Sequence, residues 1–472
     1  MDIKREDIAK IVEEVVMKYS GNSSSMPTVT SRTGIFETME EAINTAVIAQ
    51  KQFRAMSLDE RKRIIASMRQ FAEKNIKLLS ETAVSETGMG IVEDKIAKHK
   101  LCIAKTPGVE DLETKAFTGD SGMTLVEMAP YGVIGSITPS TNPSATVINN
   151  SISMLAAGNA VVYNPHPQAK RVSQKAIEIL NEAVIAAGGP ANLMTTVETP
   201  TFATGSTLMK SPDIKLLAVT GGPEIVSLAM KSGKKVIAAG PGNPPVVVDE
   251  TADIRKAAKD IVTGASFDCN IMCIAEKEIF VVDSVFNQFK DQMIQNGAYE
   301  LTRMQTDELT RRIVKEGPVG SKEPVLDRNF VGKPAYIIAK AIGLDLPMST
   351  KLLIADVAFE HPLVKLEQLM PFIPLVRARN VNEAIDMAVE AENAFSHTAS
   401  MFSTNVASLT RMGLMINTTI FVKNAPTLAG LGFNGEGHTT LTISTPTGEG
   451  ITSARTFTRQ RRCALIDYFR IV

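Results

Sequence analysis

The chain has no surplus of charge of either sign: 50 Lys+Arg stand against 51 Asp+Glu in 472 residues, and no long basic run breaks the balance. The electrostatic footprint of a nucleic-acid binder is therefore missing, and a small-molecule substrate is the better expectation. Long apolar runs are absent as well. None approaches the ~20 residues that cross a bilayer, and the N-terminus lacks the basic-then-apolar layout of a secretory signal, so the protein is expected to be soluble and cytoplasmic, with no membrane partner. Cysteine is scarce, with only Cys102, Cys269, Cys273 and Cys463. That is too few for a disulfide scaffold in a chain this long and fits a reducing compartment, where any important cysteine acts as a thiol. No internal repeat is visible, and Gly-x-Gly-x-x-Gly after a strand, the usual dinucleotide fingerprint, is missing.

What is present suggests about two to four domains with ample buried core. In residues 1–19, Ile3, Ile8, Ile11, Val12, Val15, Val16 and Tyr19 recur at helical spacing between charged residues, which predicts a short amphipathic helix. Residues 20–34 are small and polar, the composition of a flexible linker. A helix tethered in this way either docks on its own core or binds a partner groove. Residues 37–106 read as helices. Beyond them, short apolar runs such as Val133-Ile-Gly-Ser-Ile137, Ala160-Val-Val-Tyr163, Leu216-Leu-Ala-Val219 and Val246-Val-Val248 alternate with helical stretches such as Lys170–Ala187 and Ile254–Ala265. Alternation of this kind predicts an α/β fold with parallel, doubly wound sheet. A second alternating block runs from Ile279 to about Met415.

Cys273 falls between a predicted helix and the strand at Glu278–Val282, where backbone dipoles are expected to lower a thiol's pKa. Taken alone, it reads as an inert core cysteine. The strings Ile137-Thr-Pro-Ser-Thr-Asn-Pro143, Val219-Thr-Gly-Gly-Pro-Glu224, Glu367-Gln-Leu-Met-Pro371 and Phe421-Val-Lys-Asn-Ala-Pro426 alter that reading. They resemble the aldehyde dehydrogenase superfamily over nearly everything after residue 35. The resemblance implies an aldehyde dehydrogenase-like fold with a Rossmann-like cofactor domain, an α/β catalytic domain and an oligomerisation arm. The expected divisions are a cofactor domain over 35–246, with the arm near 118–132, a catalytic domain over 247–420, and a C-terminal return over 421–472 that also serves oligomerisation as a homodimer or tetramer.

By the same resemblance Cys273 is the nucleophile and Asn142 lends its amide to the oxyanion hole. Thr138, Pro139, His166, Gly221, Gly222 and Glu367 are expected at the cofactor, the two glycines at a helix N-terminus that favours phosphate and Glu367 at the nicotinamide ribose. The superfamily's ribose-binding Lys and Glu positions hold Asn164 and Pro167 here, so preference for NAD over NADP is implied by the resemblance alone. Cys269 departs from the pattern. It reads as a bystander, with an oxidative disulfide to Cys273 as the sharper alternative; no His or acidic cluster nearby completes a metal site.

Hydrolytic members use a glutamate to activate water against the acyl thioester. Aligned on Pro244 and Asp249, that position is Ala238, which cannot act as a base. A positioned base typically contributes about 10²–10⁴-fold, so transfer of the acyl group to coenzyme A is expected instead. Glu86-Thr-Gly-Met-Gly90, Gly242-Asn-Pro-Pro245, Thr445-Pro-Thr-Gly-Glu-Gly450 and Ser453-Ala-Arg-Thr-Phe457 are similar to the CoA-acylating aldehyde dehydrogenases of bacterial microcompartments, nearer the ethanolamine-utilisation branch than the propanediol-utilisation branch. This implies acetaldehyde as substrate with propionaldehyde as the alternative, NAD as cofactor, CoA as co-substrate, and a shell-protein partner for residues 1–19 inside a microcompartment. The rival expectations are a non-acylating aldehyde dehydrogenase and a shell-associated scaffold of weak activity. The clustered Arg455, Arg459, Arg461 and Arg462 read as an oligomer contact or a solvated face.

Overall fold

The computed structural model describes residues 33–316 and 324–471. The expected helix over 1–19 and almost all of the linker lie outside them. A six-stranded sheet runs in the spatial order Ile35–Phe36, Met194–Val197, Ala160–Pro165, Val133–Thr138, Ile214–Thr220 and Lys235–Ala239, every neighbouring pair parallel. Val133–Thr138 and Ala160–Pro165 are buried along their whole length, as parallel strands covered on both faces must be. The chain leaves Val133–Thr138 in one direction, through Ala160–Pro165 and Met194–Val197, then crosses to Ile214–Thr220 on its other side. That reversal opens a crevice beyond the carboxyl ends of Val133–Thr138 and Ile214–Thr220, the usual place for a ligand in such a sheet.

The helices Met39–Arg54 and Leu58–Lys74 begin at capping boxes, Thr38 with Glu41 and Ser57 with Glu60, and bury apolar stripes in the core of this sheet. The helix Val92–Lys105 is unlike them. Its buried face carries Lys95, Lys98, His99 and Cys102, so polar groups point inward.

A second sheet of seven parallel strands runs Ala298–Glu300, Leu352–Asp356, Phe372–Ala378, Glu278–Val282, Pro245–Val248, Thr398–Phe402 and Ile420–Lys423. The sheets thus divide between Ala239 and Pro245, slightly before the expected boundary, and Ile420–Lys423 stays with the second sheet rather than opening the C-terminal return. The remaining chain does come back to the first sheet. Leu441 N–H donates to Asn149 Oδ1 at 3.0 Å, the Thr442 hydroxyl to Asn150 Oδ1 at 2.9 Å, and Arg455 N–H to Asp111 Oδ2 at 2.7 Å. Thr458–Ile466 then pairs antiparallel with Gly122–Pro130, which pairs with the exposed strand Lys115–Gly119. Among the described residues no helix is long and apolar enough to cross a membrane.

Candidate active site

Cys273 follows a turn that breaks the ordinary backbone rules. Asp268, Cys269 and Asn270 sit in succession at φ 48°, 54° and 62°, a left-handed conformation that costs a non-glycine residue roughly 1–2 kcal/mol. Side-chain bonds hold the turn there. Asn270 Nδ2 donates to the carbonyls of Ala265 at 2.8 Å and Glu276 at 2.9 Å, and the buried Lys277 ammonium reaches the Asn270 carbonyl at 2.9 Å. The Asp268 carboxylate takes Lys98 and Lys95 Nζ, the latter at 3.1 Å, and the Ile91 N–H at 3.1 Å. Gly90, at φ 75°, lies so near that a Cβ there would stand 1.9 Å from Asp268 Oδ1, which gives the Glu86–Gly90 string a structural reason.

The turn packs Cys273 beside an apolar cluster that includes Phe267, Met272, Leu428 and Leu431. An open cavity of about 510 Å³ adjoins that cluster through Ala97, Leu101 and Phe433. On the opposite flank, a Cβ built on Gly242 would stand 2.8 Å from both the Cys273 carbonyl oxygen and His397 Cγ, so backbone, thiol turn and imidazole converge where only glycine fits. Gly242 N–H also donates to Glu367 Oε1 at 3.4 Å.

The expected lowering of the Cys273 pKa is not met in the ligand-free protein. Burial, and then the Glu367 carboxylate, push the thiol up to about 12, outweighing the pull of Lys277, the backbone N–H and Lys98. No helix begins at Cys273, which lies in a turn between the helix Ile254–Ser266 and the strand Glu278–Val282, so no helix dipole opposes the desolvation. Burial likewise raises Glu367 to about 7, against the opposing charge of Lys277 and the Gly242 N–H. Cys269 is 4% exposed, and burial followed by the charges of Asp268 and Asp94 pushes its thiol up to about 12 as well. Lys95 and Lys333 oppose that rise without offsetting it.

Asn142 is the N-cap of the helix Pro143–Ala156 at the end of the central strand, and its Oδ1 accepts from Lys98 Nζ. Thr138 closes the same strand, and its buried hydroxyl has no partner among the described residues. His166 N–H donates to the Thr138 carbonyl at 3.0 Å, which puts His166 at the same carboxyl edge of the sheet, where Pro139 follows Thr138. Its pKa is lowered by burial and then by the charge of Arg328. Gly221 and Gly222 lead into the helix Pro223–Met230, and a Cβ at Gly222 would meet nothing within 4 Å. An orphaned hydroxyl and an open helix N-terminus on either side of the crevice fit a dinucleotide's polar groups. Asn164 is already committed, accepting from the Thr204 hydroxyl at 2.6 Å and donating to the Thr201 carbonyl at 3.2 Å.

Ala238 is fully buried in its strand, and its N–H donates to Thr447 Oγ1 at 3.1 Å, from the Thr445–Gly450 string of the C-terminal return. His397 carries no signature in the sequence. One of five histidines and outside any quoted motif, it is buried beside Cys273. Its backbone N–H donates to Glu392 Oε1 at 2.8 Å, Nδ1 bonds the Thr398 hydroxyl at 2.9 Å, and Nε2 has no partner among the described residues. Burial, then the Lys277 charge, pull its pKa down to about 4, so the ring is neutral with a free nitrogen. Among the described residues no group of three or more His, Cys, Asp or Glu could hold a metal ion.

The aldehyde dehydrogenase family profile matches residues 22–325. The chain is 49% identical over 489 residues, spanning all of both chains, to acetaldehyde dehydrogenase (acetylating) of Bilophila wadsworthia. It is 46% identical over 466 residues, 98% of this chain and 99% of the relative, to propanal dehydrogenase (CoA-propanoylating) of Salmonella typhimurium. Among solved structures, the propionaldehyde dehydrogenase of the Clostridium phytofermentans fucose-utilisation microcompartment superposes with a TM-score of 0.90 at 46% identity, over 93% of this chain and all of that one. Propionaldehyde dehydrogenase of Rhodopseudomonas palustris, solved with CoA bound and a cysteine acylated, gives 0.89 at 46% identity over 92% and 98% of the two chains.

Proposed function

The chain belongs to the aldehyde dehydrogenase family, and from that premise we propose that it is an NAD-dependent, CoA-acylating dehydrogenase of short aldehydes, with Cys273 as its nucleophile. The product is acyl-CoA, formed through a cysteine thioester. The observation that carries this reading is the fully buried Ala238, capped by Thr447, where hydrolytic members have their water-activating glutamate. Relatives of the same full length are an acetaldehyde dehydrogenase (acetylating) and a propanal dehydrogenase (CoA-propanoylating), and a similar propionaldehyde dehydrogenase was solved with CoA and an acylated cysteine.

The Cys273 thiol gives its proton to solvent water and its sulfur attacks the aldehyde carbon; the carbonyl π pair moves onto oxygen. The Asn142 amide and the Cys273 N–H donate to that oxyanion, each such donor contributing roughly 2.7–4 kcal/mol. NAD, when bound, would supply the hydride acceptor. Thr138, Pro139, His166, Gly221, Gly222 and Glu367 would hold it, and the carbonyl re-forms as a thioester on Cys273. The free Nε2 of His397 then takes the CoA thiol proton, and the thiolate displaces Cys273. One methylene in an apolar pocket is worth only about 1–3 kcal/mol, so acetaldehyde and propionaldehyde both turn over.

NADH formation from acetaldehyde and NAD is measured with and without CoA. Sustained turnover only with CoA is expected; equal turnover without it would mean that water has another base and would overturn the acylating reading. The sequence of residues 1–19, together with relatives from microcompartments, supports shell-protein binding and placement inside a microcompartment. Deletion of residues 1–19 is expected to leave turnover intact and abolish co-sedimentation with assembled shells, and retained co-sedimentation would refute that role. The exposed three-stranded sheet supports a homo-oligomer.

A further inference from the structure

We propose that Lys98 is a positioning residue for acylation, acting through Asn142 by fixing which end of its amide faces the reacting oxygen. This deepens the functional reading above and rests on it. A carboxamide presents an acceptor at one end and two donors at the other, nearly identical in shape, and only its neighbours decide which way it lies. An oxyanion needs the donor end. Lys98 Nζ, which can only donate, lies against Asn142 Oδ1 and so commits the acceptor end. Nδ2 is left almost free, its one bond a 3.4 Å contact to the Thr141 hydroxyl.

The arrangement is built rather than incidental. Lys98 is 2% exposed and is held from behind by Asp268 Oδ2, on the turn that leads to Cys273. The same carboxylate oxygen also accepts from Lys95 at 3.1 Å, so two buried ammonium groups share one carboxylate. Asp94, its pKa raised by burial first, accepts the Asp268 N–H at 2.7 Å and so fixes the backbone of that turn. The Lys98 ammonium therefore stands at the oxygen end of the Asn142 amide. When the sulfur–carbon bond forms, the carbonyl pair arrives on an oxygen at the other end of that amide. A cation on the amide oxygen polarises the N–H donors toward that negative charge, and the benefit ends when the carbonyl re-forms and hydride leaves. Lys98 thus acts in the transition state and contributes little to aldehyde or cofactor binding.

The test is the pre-steady-state burst of NADH from acetaldehyde and NAD in the parent, Lys98→Met, Lys98→Gln, Asn142→Ala and the Lys98→Met/Asn142→Ala double variant. Asn142→Ala is expected to slow the burst about 10²–10³-fold and Lys98→Met to approach it, with both KM values within about threefold of the parent. In the Asn142→Ala background, Lys98→Met adds less than about threefold, because the lysine's effect passes through the missing amide. A purely structural lysine would instead cost the same factor in both backgrounds, and that result, or a Lys98→Met burst equal to the parent's, overturns the inference. Should Lys98→Met fail to fold with Asp268 left short of a partner, Lys98→Gln keeps a donor for Asp268 without the charge. It is expected to slow the burst at least about tenfold, and an unaltered burst there overturns the inference equally. A parent chain with no burst at all overturns the functional reading itself.

Discussion

Replacing Cys273 by alanine abolishes NADH formation with acetaldehyde, NAD and CoA, a fall of about 10⁴-fold or more, on the scale of losing a covalent nucleophile. The buried turn around the residue is unchanged, because the hydrogen bonds that hold it run through Asp268, Asn270 and Lys277 rather than through the sulfur. The variant should therefore melt like the parent. The parent's pH dependence follows from the same site. With the Cys273 thiol pushed up to about 12 in the ligand-free protein, the thiolate fraction is small at neutral pH and grows as pH rises. Alkylation of Cys273 by iodoacetamide, followed on its own peptide, accelerates steadily from pH 7 to pH 10 without the plateau near the ordinary thiol value of about 8.5. Full alkylation kinetics already reached at pH 8 would overturn the raised thiol pKa, and substantial turnover by Cys273→Ala would show that another residue carries the chemistry.

Replacing His397 by alanine separates the two halves of the cycle. The burst of about one NADH per active site persists, because acylation of Cys273 does not pass through the imidazole, while steady-state turnover with CoA falls by the roughly 10²–10⁴-fold typical of a lost base. The imidazole's pKa is pulled down to about 4, so the neutral, proton-accepting form holds at every pH above that value, and turnover shows no acid limb from His397 between pH 6 and pH 8. Rapid-mixing absorbance at 340 nm checks both points. Loss of the burst together with turnover would move His397 to the attack step, where it would take the Cys273 proton, and an unaltered steady state would remove it from the mechanism.

The difference between Asn142 and Lys98 shows how much of the site was legible. Asn142 stands in a contiguous string that ends a strand and caps a helix, and the requirement for a donor there is written in neighbouring residues. Lys98 sits 44 residues before it and 170 before Asp268, in a helix whose lysines look like a solvated face. Apolar periodicity marks a core by its hydrophobic stripe. The inward stripe of Val92–Lys105 is cationic, so the same signal gives no warning of it. His397 was invisible for a related reason, since its importance lies in a ring nitrogen left unpartnered beside Gly242 and Cys273, and no sequence string records a missing bond.

The sequence by itself determined the alternation of strand and helix, because burial on both faces demands continuous apolar runs, and it determined the reaction class, because an alanine at position 238 has no proton to take or give. The tertiary structure alone decided the protonation of the site. Whether Cys273 rests as a thiol, Glu367 titrates near neutrality or His397 stays uncharged depends on desolvation and on charges brought together from distant segments. Those energies follow distance and dielectric in the folded chain, which the order of residues does not contain.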